Sequence, residues 1–296
     1  MFNFNKKRAQ KIHAKAQALH DEGSESEAID LYTKAIKLDP EKAESYYNIG
    51  LIYKYRGAWN ESLHYNKIAN ELNPEDESAR WNLAIAATAL EQWDIARAAW
   101  LQHGLALEGD SGPIEMNAGI TPVRLNPHDA GEVVWATRID PVRAVIDSIP
   151  FPESGFRHGD IVLHDGAGTG TRKSGDREYS VFNVLKRLQP SAFETALAFI
   201  ELANETDLDE LDKLFADNAH VVEDWTSNVR MLCKQCSEGV PHDHHDEDRA
   251  DTWNPERRIG IAICNNTDVA PLFAIWEKQT GSRLISFETW KEDPSN

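Results

Sequence analysis

Cysteine is scarce: three in 296 residues cannot build a disulfide framework, so the thiols are free or metal-bound. Long apolar runs are missing too. No stretch of 18 apolar residues exists, which excludes a membrane-spanning helix. Met1-Phe-Asn-Phe-Asn-Lys-Lys-Arg8 lacks the apolar stretch of a signal peptide. Positive charge is the third shortage. Against 49 Asp and Glu stand 31 Lys and Arg, a formal net charge of −18. That balance disfavours nucleic acid as a partner, because such binding rests on neutralising phosphates with Lys and Arg. These shortages lead us to expect a cytoplasmic protein with no membrane or nucleic-acid partner.

Enough apolar material is present to fold. Hydrophobic residues make up 41% and aromatics 9%, including nine Trp, which rules out wholesale disorder. The length suits two or three domains. The acidity is uneven: residues 1–110 hold 13 basic and 17 acidic side chains, a net −4, and the remainder 18 and 32, a net −14.

The first hundred residues repeat with a period of 34, in the units Ala9–Pro40, Ala43–Pro74 and Glu77–Glu108. Equivalent places hold Ala16, Gly50 and Ala84, then Ala28, Ser62 and Ala96, all small enough for two helices to touch. Large residues fill complementary places: Tyr32, Tyr46 and Trp100. Gly23 and Gly57 fall between the paired helical stretches, where a tight turn suits glycine. Asp39-Pro40 and Asn73-Pro74 close the first two units, since proline cannot continue a helix. The third unit departs from the pattern, with Glu91-Gln92 at the turn and no closing proline.

This pattern resembles the tetratricopeptide repeat (TPR), most fully in Ala43-Glu-Ser-Tyr-Tyr-Asn-Ile-Gly-Leu-Ile-Tyr53 through Leu72-Asn-Pro74. The resemblance implies helix pairs stacked into a right-handed superhelix whose concave groove binds peptide segments. Carried over, the groove-facing places are His13 and Gln17, then Tyr47, Leu51 and Tyr55, then Trp81 and Ile85. Either an external peptide or the rest of this chain would cover that aromatic and aliphatic strip. Family members that clamp a terminal carboxylate use lysines and an arginine. Here those places hold His13, Gln17, Asn48, Ser78 and Asn82, so a carboxylate clamp is not expected. Lys6, Lys7, Arg8, Lys11 and Lys15 are helically spaced and read as a solvated face.

Beyond Glu108-Gly-Asp-Ser-Gly-Pro113, which has loop composition, the texture becomes α+β. Val133–Ile139, Ala144–Asp147 and Asp160–His164 read as short strands of a small antiparallel unit. Asp165-Gly-Ala-Gly-Thr-Gly-Thr-Arg-Lys-Ser174 lacks the Gly-Lys-Ser/Thr ending of a phosphate loop and reads as a flexible hairpin loop. His158, Asp160, His164 and Asp165 could be drawn as an acid/base group, but polar side chains facing solvent are the simpler reading.

From Thr206, a capped helix carrying Leu208, Leu211, Leu214 and Phe215 on one face precedes strands at His220–Trp225 and Arg258–Cys264. A helix near Asp268–Thr280, with Pro271 in its first turn and Gly281 after it, precedes a strand at Ser282–Glu288. If Glu194–Leu202 is also a strand, the order is βαββαβ, a ferredoxin-like sandwich. Ser191-Ala-Phe-Glu194, however, also reads as a helical capping box. The expected domains are residues 1–110, 111–190 and 191–296, the last with an insertion at 226–257.

That insertion carries the most pointed chemistry: Leu232-Cys-Lys-Gln-Cys-Ser-Glu-Gly-Val-Pro-His-Asp-His-His-Asp246. Cys233 and Cys236 with two of His242, His244 and His245 satisfy a tetrahedral zinc ion, in the closed arrangement of structural sites. A redox pair, a metal-free His-rich loop, iron or copper are the alternatives. Cys264 reads as a free buried thiol or, less simply, a third sulfur ligand.

The leading expectation is a protein-interaction adaptor whose repeat groove docks a peptide or partner helix. One alternative is a metal-dependent, hydrolase-like enzyme using the spare histidine and Asp243, Asp246, Glu247 and Asp248. The other is an acidic inhibitor or immunity-type protein covering a basic target.

Overall fold

The structure, a computed structural model, describes residues 2–129, 131–226 and 253–289. The chain divides into two compact units, Met1–Met116 and Asn117–Asn296.

The first unit is six helices in three antiparallel pairs: α1 (Phe2–Asp21) with α2 (Glu25–Leu38), α3 (Ala43–Tyr55) with α4 (Trp59–Leu72), and α5 (Glu77–Ala89) with α6 (Trp93–Gln102). The small repeat positions are where helices meet. Ala16, Ala28, Ala84 and Ala96 have no exposed surface, and Tyr32, Ile49 and Ile52 fill the space beside the first pair. Gly50 shows how tight this packing is: an added Cβ would lie 2.5 Å from Asn66 Nδ2. Ser62 donates to the Gly50 carbonyl at 2.9 Å, and Asn66 donates to the Ser62 carbonyl at 2.9 Å, so these buried donors are paired. Gly23 (φ +82°) and Gly57 (φ +68°) make the first two turns, and Glu91 takes the same left-handed conformation (φ +55°) in the third. Among the described caps of this unit, Asp76 alone caps with its side chain, accepting from the Ser78 and Ala79 amides at 2.9 and 3.2 Å.

The second unit opens with a closed five-stranded barrel: β1 (Ile120–Leu125), β2 (Glu132–Arg138), β3 (Arg143–Ile146), β4 (Ile161–Ser174) and β5 (Arg177–Gln189). Neighbours are antiparallel, and β1 closes the barrel by pairing in parallel with β5. Val123, Leu125, Val134, Ala136, Ala144, Ile146, Val162 and Val184 fill the interior. Asp165–Ser174 is not a loop. It continues β4 against β5, with irregular register around Gly168 and Gly170, because the partner strand supplies the hydrogen bonds that the Gly-Thr composition does not advertise.

A four-stranded antiparallel sheet follows, in the order β7-β8-β6-β9, formed by β6 (Phe193–Glu201), β7 (Val221–Asp224), β8 (Glu256–Cys264) and β9 (Arg283–Thr289). Helices α7 (Asp207–Ala216) and α8 (Ala270–Thr280) connect it as βαββαβ. Leu211, Phe215, Phe273 and Trp276 from the helices cover Ala196, Ala198, Ile200, Ile259, Ile261 and Ile263 of the sheet. Ser191 does not start a helix: its hydroxyl donates to the His158 carbonyl at 2.6 Å, and β6 is held between β8 and β9. Nor does Thr206 cap α7 through its side chain. Asp207 anchors that start instead, accepting from the Asn204 amide at 2.8 Å and the Ser282 hydroxyl at 2.7 Å.

The second face of the sheet meets the barrel. Ile149, Trp225 and Ala262 form a buried cluster there with Phe151, Phe193, Leu197 and Val221 packed around it. Asp160 ties barrel to sheet by accepting from the Arg157 and Ser191 amides at 3.0 and 2.8 Å. Gly260 admits the Trp225 indole where any Cβ would collide with it.

Candidate functional site

Helices α1, α3 and α5 carry the expected groove residues, and the structure sorts them by exposure. On α3, residues spaced four apart share a face, so Tyr47, Leu51 and Tyr55 form one ridge. Tyr47 and Leu51 are half-buried and Tyr55 is 47% exposed, with the Lys54 ammonium 4.3 Å from its ring centroid. Gln17 is exposed on α1. His13 is buried, its Nδ1 2.9 Å from Ser45 Oγ and its ring 5.2 Å from that of Tyr32. Burial, helped by the neighbouring Lys42 ammonium, lowers its pKa below the ordinary 6.5. Ile85 is fully buried. Trp81 is half-buried and turned onto its own repeat, edge-on to Trp100 at 4.7 Å and to His103 at 4.9 Å. The outward-facing part of the strip is therefore the α3 ridge with Gln17.

The basic groups near this unit's start are occupied or solvated. Lys6 pairs with Glu41 at 3.0 Å, and Lys42, largely buried, donates to Gln10 at 2.7 Å and Glu44 at 3.3 Å. Lys7, Arg8, Lys11 and Lys15 are exposed.

A residue with no signal in the repeat pattern closes the unit. Arg97 on α6 is 6% exposed and donates to the carbonyls of Glu108, Gly109, Gly112 and Pro113 at 2.7–3.1 Å. It holds the loop that follows the third repeat, where no proline ends the helix.

In the second unit, three of the four polar residues drawn from the sequence as an acid/base group are not surface groups, and His158 is partly exposed. Asp160, His164 and Asp165 are buried, and each has its own structural partner. His158 donates from Nδ1 to the Asp147 carbonyl, 2.8 Å away, and meets Phe193 edge-on. Cys233, Cys236, His242, His244 and His245 lie outside the described residues. Among the described residues no group of three His, Cys, Asp or Glu converges as a metal site, and Cys264 is free. Among them, too, no helix is long and apolar enough to cross a membrane.

The family described as TPR repeat matches residues 16–57. No curated protein matches the sequence. Solved structures similar to the chain include the second TPR of Spaghetti (RPAP3) bound to the HSP90 peptide SRMEEVD, 22% identical, covering 34% of this chain and 88% of that one at a TM-score of 0.32. The Aspergillus fumigatus Sgt2 TPR domain is 22% identical, covering 32% and 63% at a TM-score of 0.30. The Arabidopsis OM64 TPR domain is 22% identical, covering 35% and 85% at a TM-score of 0.32. Residues 16–57 of the six-helix unit thus match the tetratricopeptide repeat, its three helix pairs are TPR-like, and a β-rich region follows.

Proposed function

We propose that this protein is an interaction adaptor whose repeat unit docks a peptide or partner helix on the α3 ridge. The observation that carries this reading is the run Tyr47, Leu51 and Tyr55 on one helix face of a TPR array, half-buried to exposed. Partly exposed aromatic rings on a rigid helix are what recognition surfaces use as anchors. The occupant has apolar anchors. An acidic tail suits it poorly, because His13, Gln17, Asn48, Ser78 and Asn82 supply no fixed cation. Partner capture with Tyr47→Ala/Tyr55→Ala against wild type tests this, since Tyr55 is exposed and Tyr47 is half-buried. Loss of partners with an unchanged melting temperature supports the reading, and unchanged capture contradicts it.

The second unit adds a recognition module. Its βαββαβ connectivity and strand order support reading the last hundred residues as a ferredoxin-like sandwich. Two thiols and a histidine cluster in thirteen positions support a structural zinc ion held by Cys233, Cys236 and two of His242, His244 and His245. Elemental analysis of the purified chain is expected to find one zinc per molecule, lost in Cys233→Ser/Cys236→Ser. Equal metal in both would remove the assignment.

A further inference from the structure

One end of the barrel carries polar groups on its inward face. Cross-strand partners share a face, so register places them there. Thr121 of β1 pairs with Ala136, Arg138 of β2 with Ala144, and His164 of β4 with Val184, and those three partners belong to the barrel core. Thr121 and His164 are 3% and 1% exposed, and Arg138 is half-buried. The His164 ring lies 5.2 Å from Phe182, which completes the rim.

Two of these groups are left incomplete. Arg138 Nε and His164 Nε2 are buried and have no hydrogen-bond partner among the described residues. Burial lowers the Arg138 pKa, and among the described residues no carboxylate forms an ion pair with it. The nearby acids are engaged. Asp140 accepts from Arg143 Nε at 2.5 Å and from the Val142 and Arg143 amides at 2.7 and 2.5 Å, and Asp165 accepts from the Gly166 amide at 2.8 Å. Buried polar atoms without partners are rare, and an arginine whose neighbouring acids are engaged elsewhere calls for an anion.

The imidazole narrows the choice. His164 Nδ1 faces the Asp165 carbonyl at 2.8 Å and must donate to it, so Nε2 carries a lone pair in the neutral ring. Burial keeps this histidine neutral, lowering its pKa, with the Arg138 charge in the same direction. A ligand satisfying both atoms brings a negative oxygen for Arg138 and a hydroxyl proton for Nε2. A carboxylate or sulfate at neutral pH has no such proton, whereas hydrogen phosphate and a phosphomonoester monoanion have one. We propose that the Thr121–Arg138–His164 end of the barrel binds a phosphate or phosphomonoester group, entered from the half-exposed Arg138 side. Barrel mouths with a few convergent polar groups are common ligand sites.

The test is a nitrogen-15 NMR titration of the full chain, following His164 Nε2 with inorganic phosphate, glycerol phosphate or sodium sulfate. Saturable displacement of the resonance by phosphate or glycerol phosphate is expected, with sulfate and Arg138→Gln each weakening it by roughly tenfold or more. Tighter binding of glycerol phosphate identifies a phosphomonoester as the ligand, and tighter inorganic phosphate a free ion. Absence of saturation in wild type, equal response to sulfate, or a response unchanged in Arg138→Gln overturns the proposal. The wild-type titration decides alone should that variant not fold.

Discussion

Glu91 occupies a left-handed turn position where the first two repeats have glycine, and an L-residue side chain is strained there. Glu91→Gly is expected to raise stability by up to about 1 kcal/mol in chemical denaturation. At Gly50 the opposite holds. A methyl group would press into Asn66, and since both helices are fixed by buried contacts, Gly50→Ala is expected to cost about 1–3 kcal/mol. Three histidines set a pH dependence. His13, His164 and His220 all have pKa values lowered by burial, and His220 Nδ1 accepts the Cys264 amide at 3.1 Å, which also requires the neutral ring. The unfolded chain protonates them near their ordinary value of about 6.5, and the folded chain only below it. Folding stability is therefore fully present above that pH and is lost as pH falls below it. The melting temperature should drop between about pH 7 and about pH 5.5, and His13→Gln should flatten the drop for the repeat unit. A melting temperature that rises over that interval would contradict the burial of these rings.

At the scale of elements, Arg97 explains how the third repeat ends without a proline: one guanidinium gathers the carbonyls of Glu108, Gly109, Gly112 and Pro113. A lysine cannot span four acceptors. Arg97→Lys is expected to cost about 2–3 kcal/mol and to speed amide exchange across residues 108–113, and protection equal to wild type would count against the staple. The repeat helices were legible in the sequence because every small and large residue that positions them recurs at one spacing, from Ala16 to Ala84 and from Tyr32 to Trp100. Strand pairing is not local, and there reading falters. β1 and β5 carry no alternation strong enough to mark them, and the Gly-Thr stretch of β4 becomes strand only because β5 lies beside it. Ser191 looks like a helix cap in isolation, yet its hydroxyl serves the His158 carbonyl and two neighbours claim β6. The groove places Tyr47, Leu51, Tyr55 and Trp81 come from the tetratricopeptide resemblance, and the turn of Trp81 onto Trp100 is not legible there, since both rings fit either role.

Over the whole molecule, chemistry is divided between the units. The repeat unit is close to neutral and offers aromatic surface. Most of the −18 charge resides beyond residue 110, a net −14, although at the barrel end no carboxylate among the described residues forms an ion pair with Arg138. That division fits an adaptor whose first unit recognises a partner by apolar contact and whose second contributes a separate site. Selection of peptides from a random library on the full chain tests this most directly, with Tyr47→Ala/Tyr55→Ala as control. Enriched sequences carrying aromatic or aliphatic anchors, bound by wild type and weakened roughly tenfold or more in the double variant, are the expected result. Enrichment of acidic carboxy-terminal tails, or equal binding by both proteins, would contradict it.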